Sequence, residues 1–438
     1  MDIVMLICRR TAHFVSLFVL ALAFCCGEAR AQEVTNDAAV QVAAEEQTTS
    51  VAVDTLAPIS TAETAADTST TKKSFVKRVI HYFLGGGKGD KKRFQVAFLP
   101  GPHYSSTAGL GLGAVATCLF SCDPSDTTLQ RSNVSLYGDI TTKLRIKVGI
   151  KGNTIFRHDR MRLDYEISGS SFPTKFWGIG FDNGNDDLNE TSYKRLELKA
   201  MARMLFRIAP NTFIGPVVDY EFVEGKNTET PKRYASAEPD DAEAANAGRA
   251  LFEGQRLTQN SRMVGVSFTY DSRDFILNAY KGWFLRIDQL FAPKALGNKS
   301  AFSSTDLTVS TYHRLWRTAI LAAEWHSRFT YGNVPWGMLS EAGTTCRLRG
   351  YYEGRYRDRD IGELQVELRQ QIARRFGVTV WGGAGEVFSK PSELRFSRIL
   401  PNAGIGFRWA FRPRVNIRID YGFTRNGGGF IFQINEAF

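Results

Sequence analysis

The stretch Cys346-Arg347-Leu348-Arg349-Gly350-Tyr351-Tyr352-Glu353-Gly354-Arg355-Tyr356-Arg357-Asp358-Arg359-Asp360 is dense in arginine and tyrosine, and alternating segments flank it. Before it, Ala319, Leu321, Ala323 and Trp325 occupy alternate positions. After it, Leu364, Val366 and Leu368 alternate with Glu363, Gln365, Glu367 and Arg369. Period two is the strand repeat. A strand with carbon on one side and paired charge on the other needs two different solvents. Lipid outside and water inside satisfies that, and so does a soluble sheet with one wet face.

The same alternation recurs along the chain from Arg93 onward. Leu144, Ile146, Val148 and Ile150 face away from Arg145, Lys147 and Lys151. Leu196, Leu198, Ala200 and Ala202 oppose Arg195, Glu197, Lys199 and Arg203, and Val415, Ile417, Ile419 and Tyr421 oppose Arg414, Asn416, Arg418 and Asp420. Counting such segments gives about sixteen strands, an even number of the kind found in bacterial outer-membrane barrels. His158-Asp159, Ala209-Pro210, Arg314-Leu315, Arg374-Arg375 and Pro413 read as tight turns, whereas Gly225–Gly254 and Tyr331–Arg357 read as long loops. Short periplasmic turns and longer external loops produce this asymmetry. Ser121–Leu129 and Ser272–Tyr280 are long for the periplasmic side.

These features predict an all-β fold, a closed antiparallel transmembrane β-barrel over residues 93–438. In lipid an unpaired backbone group costs several kcal/mol, so a spanning sheet must have no free edge. A soluble β-sandwich is the alternative, and it would carry fewer inward arginines and more even loops. Pro216 falls inside the strand Thr212–Phe222, which predicts a bulge beside Gly215. The first strand reads as short, Phe94 to Leu99 with Val96 and Phe98 on one face, ending at Pro100-Gly101-Pro102. The last follows Gly427-Gly428-Gly429 and carries Phe430, Phe432, Ile434 and Phe438. A seam between these two strands would be weakly bonded and able to open sideways.

The segment before the barrel reads differently. Arg9 and Arg10 precede an apolar run from Phe14 to Phe24, and Ala29-Arg30-Ala31 offers a cleavage site, so residues 1–31 read as a secretory signal peptide. Residues 32–71 are rich in Ala, Thr, Glu and Asp and lack aromatic residues, the composition of a disordered tether. Residues 72–92 read as a basic amphipathic helix over Lys72–Leu84, with Phe75, Val76, Val79, Ile80, Phe83 and Leu84 on one side, and a Gly-rich hinge that begins at Gly85-Gly86-Gly87. The helix is expected at the periplasmic mouth, on membrane or on protein. The formal net charge is +10, yet the basic residues are interleaved with acids and form no stripe, which argues against nucleic acid as a partner. Cys118 and Cys122 flank a turn and are either a disulfide or two isolated small residues. No metal or cofactor is expected, because the Cys and His residues lack ligand spacing.

Several motifs carry a resemblance. Asp271-Ser272-Arg273-Asp274 followed by Lys281-Gly282-Trp283, Trp177-Gly178-Ile179-Gly180, Leu348-Arg349-Gly350-Tyr351, and Val380-Trp381-Gly382-Gly383-Ala384-Gly385-Glu386-Val387-Phe388 are the segments concerned. Together they resemble the bacterial surface antigen superfamily, which comprises BamA- and TamA-like insertases and two-partner secretion transporters. The terminal aromatic Phe438 resembles the signal read by the outer-membrane assembly machinery, an expected partner in the protein's own insertion. The resemblance implies an outer-membrane location in a Gram-negative bacterium, with the lipid bilayer as surroundings.

In that family an arginine-glycine-aromatic tip is tucked into the lumen, where the arginine pairs with acids on the wall. Carried over, Arg349, Gly350 and Tyr351 form the tip and Glu367 the acid. A charge swap at 349 and 367 should then restore what either single change loses. Gly383 stands where a second acid is usual. Glu386, beyond Gly385, is nearby but has the wrong parity for the same face. The family's periplasmic polypeptide-transport (POTRA) domains are not expected before residue 93, and capture of a client is then expected to fall to a separate periplasmic subunit or not to occur.

The function implied is assembly, insertion or translocation of outer-membrane components. The alternative is a passive pore or a scaffold for a partner complex. An enzyme is not expected: Gly-x-Ser-x-Gly and His-Glu-x-x-His are absent, and Glu324 with His326 reads as a lumenal pair rather than a catalytic one.

Overall fold

The computed structural model describes residues 94–105, 109–123, 129–236, 242–412 and 414–438. The predicted signal peptide, tether and amphipathic helix lie outside them. The first strands are β1 (Phe94–Ser105), β2 (Gly109–Phe120), β3 (Ser132–Thr141), β4 (Ile146–Ile155), β5 (Met161–Phe176) and β6 (Thr191–Ala209). Next come β7 (Thr212–Lys226), β8 (Thr258–Asp271), β9 (Gly282–Ala292), β10 (Phe302–Trp316), β11 (Ala319–Gly332) and the two-residue strands β12 (Ser340–Glu341) and β13 (Arg357–Asp358). The chain ends with β14 (Asp360–Gln371), β15 (Phe376–Phe388), β16 (Leu400–Arg412), β17 (Val415–Thr424) and β18 (Gly427–Ile434). Sixteen of these form one antiparallel sheet in chain order, while β12 and β13 pair only with each other.

Alternation decides which side chains go where. On β14, Leu364 and Val366 are exposed on the outside, whereas Glu363, Gln365, Glu367 and Arg369 are buried within. Leu136, Ile140, Ile146 and Val148 continue the exposed apolar surface over β3 and β4. The interior is filled by charge and by loops. Phe176, Tyr193, Val223, Phe252, Trp336 and Leu339 cluster under the loop that carries a helix, α1 (Ala242–Ala250). Residues 333–359 fold back inside the wall, with Ala342, Leu348, Tyr351 and Tyr356 packed on Ile361, Val387 and Leu400.

The structure corrects several expectations. β1 does not stop at Leu99; it pairs with β2 without a break from Phe94–Phe120 to Ser105–Gly109. An unbroken ladder through Pro100 and Pro102 requires both missing N–H donors to point at the other edge, towards β18. There, one residue pair joins the two strands, Ser105 with Ile431.

No bulge forms at Pro216. Pairing between β6 and β7 lapses at Met204 and Leu205 and resumes in the same register. Pro216 meanwhile pairs with Val266 of β8. Gly215 makes this lapse tolerable, because a Cβ there would lie 1.8 Å from the Met204 carbonyl oxygen.

The third correction is at the C-terminal segment. β18 ends at Ile434, so Phe438 is not on the strand. Asn435 has φ of +71° and turns the segment inward, where the Phe438 ring lies 6.2 Å from that of Tyr312. The Phe438 carbonyl oxygen accepts from Arg369 at 2.9 Å.

The long Ser272–Tyr280 connection also has a cause. Asp274 accepts from the Tyr280 backbone at 2.8 Å, and Arg414 bonds both Asp274 and the Asn278 carbonyl while stacking 3.5 Å over Tyr280. The turn is thereby closed over its own end of the barrel. Cys118 and Cys122 are not joined.

Candidate functional site

The loop tip reaches the wall by a tight local turn. Leu348 has φ of +45° and Gly350 of +104°, so the chain reverses at Arg349. A Cβ at Gly350 would lie 2.7 Å from the Gly422 carbonyl oxygen, so only glycine lets the tip press against β17. Asn402 donates to the Arg349 carbonyl at 3.1 Å, and the Tyr351 hydroxyl donates to the Pro401 carbonyl at 2.8 Å. The tip is therefore bonded to β16 through its backbone as well as its side chains.

The Arg349 side chain is fully buried and lies 3.9 Å from the Trp381 ring centroid. Its Nη1 is 2.8 Å from Glu367 Oε1 and 2.9 Å from Asp420 Oδ2. From these two acids the contacts run on. Glu367 Oε2 is 2.8 Å from Arg369, Arg369 is 3.8 Å from Glu436, Glu436 is 2.8 Å from Arg408, and Arg408 is 2.5 Å from Asp420.

The result is a closed ring of alternating charge: Arg349, Glu367, Arg369, Glu436, Arg408 and Asp420. Arg418 adds a contact of 3.2 Å to Asp420 and donates to the Thr345 carbonyl in the loop. One ring thus joins the loop tip, β14, β16, β17 and the inturned segment after β18. Burying so many ions is costly unless each is paired, and here each has at least two opposite partners or a carbonyl.

The remaining sequence-derived residues fall around this ring. Gly383 sits beneath it, where a Cβ would lie 2.8 Å from Asn402 Oδ1 and close to Gln365. No acid could stand there without displacing Asn402, and Asp420 from β17 occupies the second acidic place instead. Gly385 accommodates Leu348, whose Cδ1 would be 2.9 Å from a Cβ. Glu386 is outside the ring and accepts from the Arg395 backbone N–H at 3.0 Å, bracing an outer loop.

Glu324 and His326 do not pair with each other. Glu324 accepts from Arg347 at 2.8 Å, and His326 lies 3.3 Å from Asp306 and 3.5 Å from Glu363. A second charged contact holds the base of the loop: Glu341 on β12 is 2.7 Å from Arg195 and 3.2 Å from Arg357. Burial pushes the Glu341 carboxyl up, but Arg195 and Arg357 outweigh it and hold it at about 2.

Asp420, Arg369, Arg408, Arg418 and Glu436 were not assigned by the sequence reading. Alternation puts Arg369, Arg418 and Asp420 on the water-facing side, but it carries no information on which inward groups meet across the lumen. Seam residues Phe98 and Phe430 are exposed outward, and Phe432 and Ile434 are partly so, while Phe94 and Val96 lie on the β1 ladder to β2.

The Omp85 superfamily domain matches residues 134–438. Among solved structures, BamA from Haemophilus ducreyi lacking POTRA domains 1–3 aligns with a TM-score of 0.50 at 16% identity, covering 78% of this chain and 69% of that one. CdiB from Acinetobacter baumannii aligns with a TM-score of 0.50 at 12% identity, covering 79% of this chain and 60% of that one. At these identities the likeness concerns the fold. A sequence comparison with curated proteins gave no match. The match to the superfamily spans most of the sheet, the loop and the charge ring, and agrees with the resemblance carried by the turn and loop motifs. The chain belongs to the Omp85 superfamily of Gram-negative outer-membrane β-barrel proteins.

Proposed function

We propose that this protein assembles, inserts or translocates outer-membrane components, using the seam between β1 and β18 as the place where a client strand pairs. Membership of the superfamily supports insertion or translocation in general. The observation that carries the finer reading is the seam itself. Its strands share one residue pair, and Pro100 and Pro102 withhold two donors from the β18 side. Adding a strand to such an edge satisfies backbone groups that the closed wall leaves unmet. In this reading the wall closes at rest, and the Arg349 ring holds the loop inside while β1 and β18 part.

A disulfide tests it. Paired residues in an antiparallel ladder have Cα atoms about 4.5–5.5 Å apart, within reach of a disulfide. The pair Ser105→Cys with Ile431→Cys should therefore lock the seam. In reconstituted vesicles the oxidised variant should promote insertion of a small unfolded barrel no faster than empty vesicles, and reductant should restore the rate. Full activity in the oxidised form overturns lateral opening. The pore reading has less support, because residues 333–359 occupy the interior that a pore would need.

A further inference from the structure

The two ends of the barrel differ in charge. The end bearing the tight turns at 156–160, 210–211, 317–318 and 372–375 is the periplasmic one by turn length. Among the described residues, the exposed charged side chains at that end are all basic, among them Arg157, Arg160, Arg207, Arg314, Arg317 and Arg374. The acids there are turned inward and paired. Asp159 is 2.7 Å from Arg162, Asp274 is 2.8 Å from Arg414, and Glu436 is 2.8 Å from Arg408. Asp123 and Asp271 are buried. At the opposite end the exposed charges are mixed: Asp182, Asp187 and Glu253 stand with Lys226, Arg233 and Lys294.

Exposed apolar side chains stand at the same level of the wall as these arginines. Exposed Phe206 and Ile208 flank Arg207, Leu315 and Trp316 lie between Arg314 and Arg317, and Ile372 and Phe376 bracket Arg374. Where β10–β11 and β14–β15 turn side by side, Arg314, Arg317 and Arg375 line a cleft of about 90 Å³ together with Tyr280, Glu436 and the ring arginines Arg369 and Arg408, so this cleft faces the interior.

We infer that this rim binds the headgroups of anionic phospholipids in the periplasmic leaflet. Guanidinium groups bond phosphate oxygens in a fork, and a basic side chain near an anionic surface gains about 1 kcal/mol. The apolar neighbours place the arginines at headgroup depth, which favours lipid over an acidic protein. The inference rests on the membrane-spanning reading and not on opening of the seam, so the two can fail separately.

Trp316 is exposed at this rim and reports on it. The full-length protein would be placed in phosphatidylcholine vesicles carrying an equal mole fraction of either brominated phosphatidylglycerol or brominated phosphatidylcholine. The quenching ascribed to Trp316 is the part lost in W316F. Phosphatidylglycerol should show roughly a fivefold higher relative association than phosphatidylcholine, the equivalent of about 1 kcal/mol. The quadruple variant R314Q/R317Q/R374Q/R375Q should bring the ratio to about one, as should raising salt to about 0.5 M with the unaltered protein, where the screening length falls to roughly 4 Å. K294Q/K299Q at the other end should leave the ratio unchanged. Equal quenching by the two lipids in the unaltered protein at low salt overturns the proposal. So does a preference that survives both the quadruple variant and high salt. An acidic protein captured by the rim in place of any lipid preference would assign it to a protein partner and also overturn the proposal.

Discussion

Arg349 is bonded on two sides, and this changes what substitutions at it should do. Removing one partner of a buried ion pair costs about 3–5 kcal/mol, against about 0–1 for an exposed pair. Arg349→Ala and Asp420→Asn should each fall in the upper range, read as a lowered urea midpoint of the folded barrel in detergent. A simple pair would be rescued by the swap Arg349→Glu with Glu367→Arg. The ring predicts the opposite: the new glutamate would face Asp420, and the new arginine would face Arg369 and Arg408. The double variant should therefore be no more stable than the singles, and recovery to the unaltered midpoint would show that Arg349 and Glu367 act as an isolated pair. At this scale the Arg349–Glu367 contact was legible, since a motif and strand parity both point to it. Asp420 was legible as inward but not as a partner, because contacts across a lumen leave no periodic trace. Glu436 was hidden by the turn at Asn435, which an unbroken alternation through Phe438 conceals.

Among the elements, the small β12–β13 pair should be the part of the loop most sensitive to acid. Glu341 is held at about 2, below its ordinary 4.5, by Arg195 and Arg357. A carboxyl lowered on folding stabilises the folded form above its unfolded value, and that contribution is lost as pH falls from about 4.5 towards 2. Corrected for the intrinsic amide rate at each pH, hydrogen exchange across residues 340–358 should accelerate over this window in the unaltered protein. In Glu341→Gln it should already be fast at neutral pH and change little on acidification. Exchange in the unaltered protein that is flat through the window would remove Glu341 from the account. The elements themselves were largely legible, because period two persists through almost every strand. β1 was the exception. Two prolines read as a stop, and they stop a strand only when both edges need donors; here the edge that lacks them is the sparsely bonded one.

For the whole molecule, carbon-bearing faces outward and charge inward account for the single sixteen-strand sheet. The same alternation does not say how the two ends are filled. The external loops pack an aromatic cluster around Trp336, and the other end is occupied by the 272–281 turn and the segment after Asn435. Both depend on contacts between parts of the chain far apart in sequence, such as Arg414 with Asp274. The strands around the wall share long ladders, sixteen residue pairs between β5 and β6 for example, against the single pair at the seam. Hydrogen–deuterium exchange of the full-length protein in vesicles compares these directly. The amides of β18 and the seam-facing amides of β1 should exchange orders of magnitude faster than those of β5 and β6. Protection of β1 and β18 equal to that of β5 and β6 would contradict a weak seam, and with it the opening on which the proposed function depends.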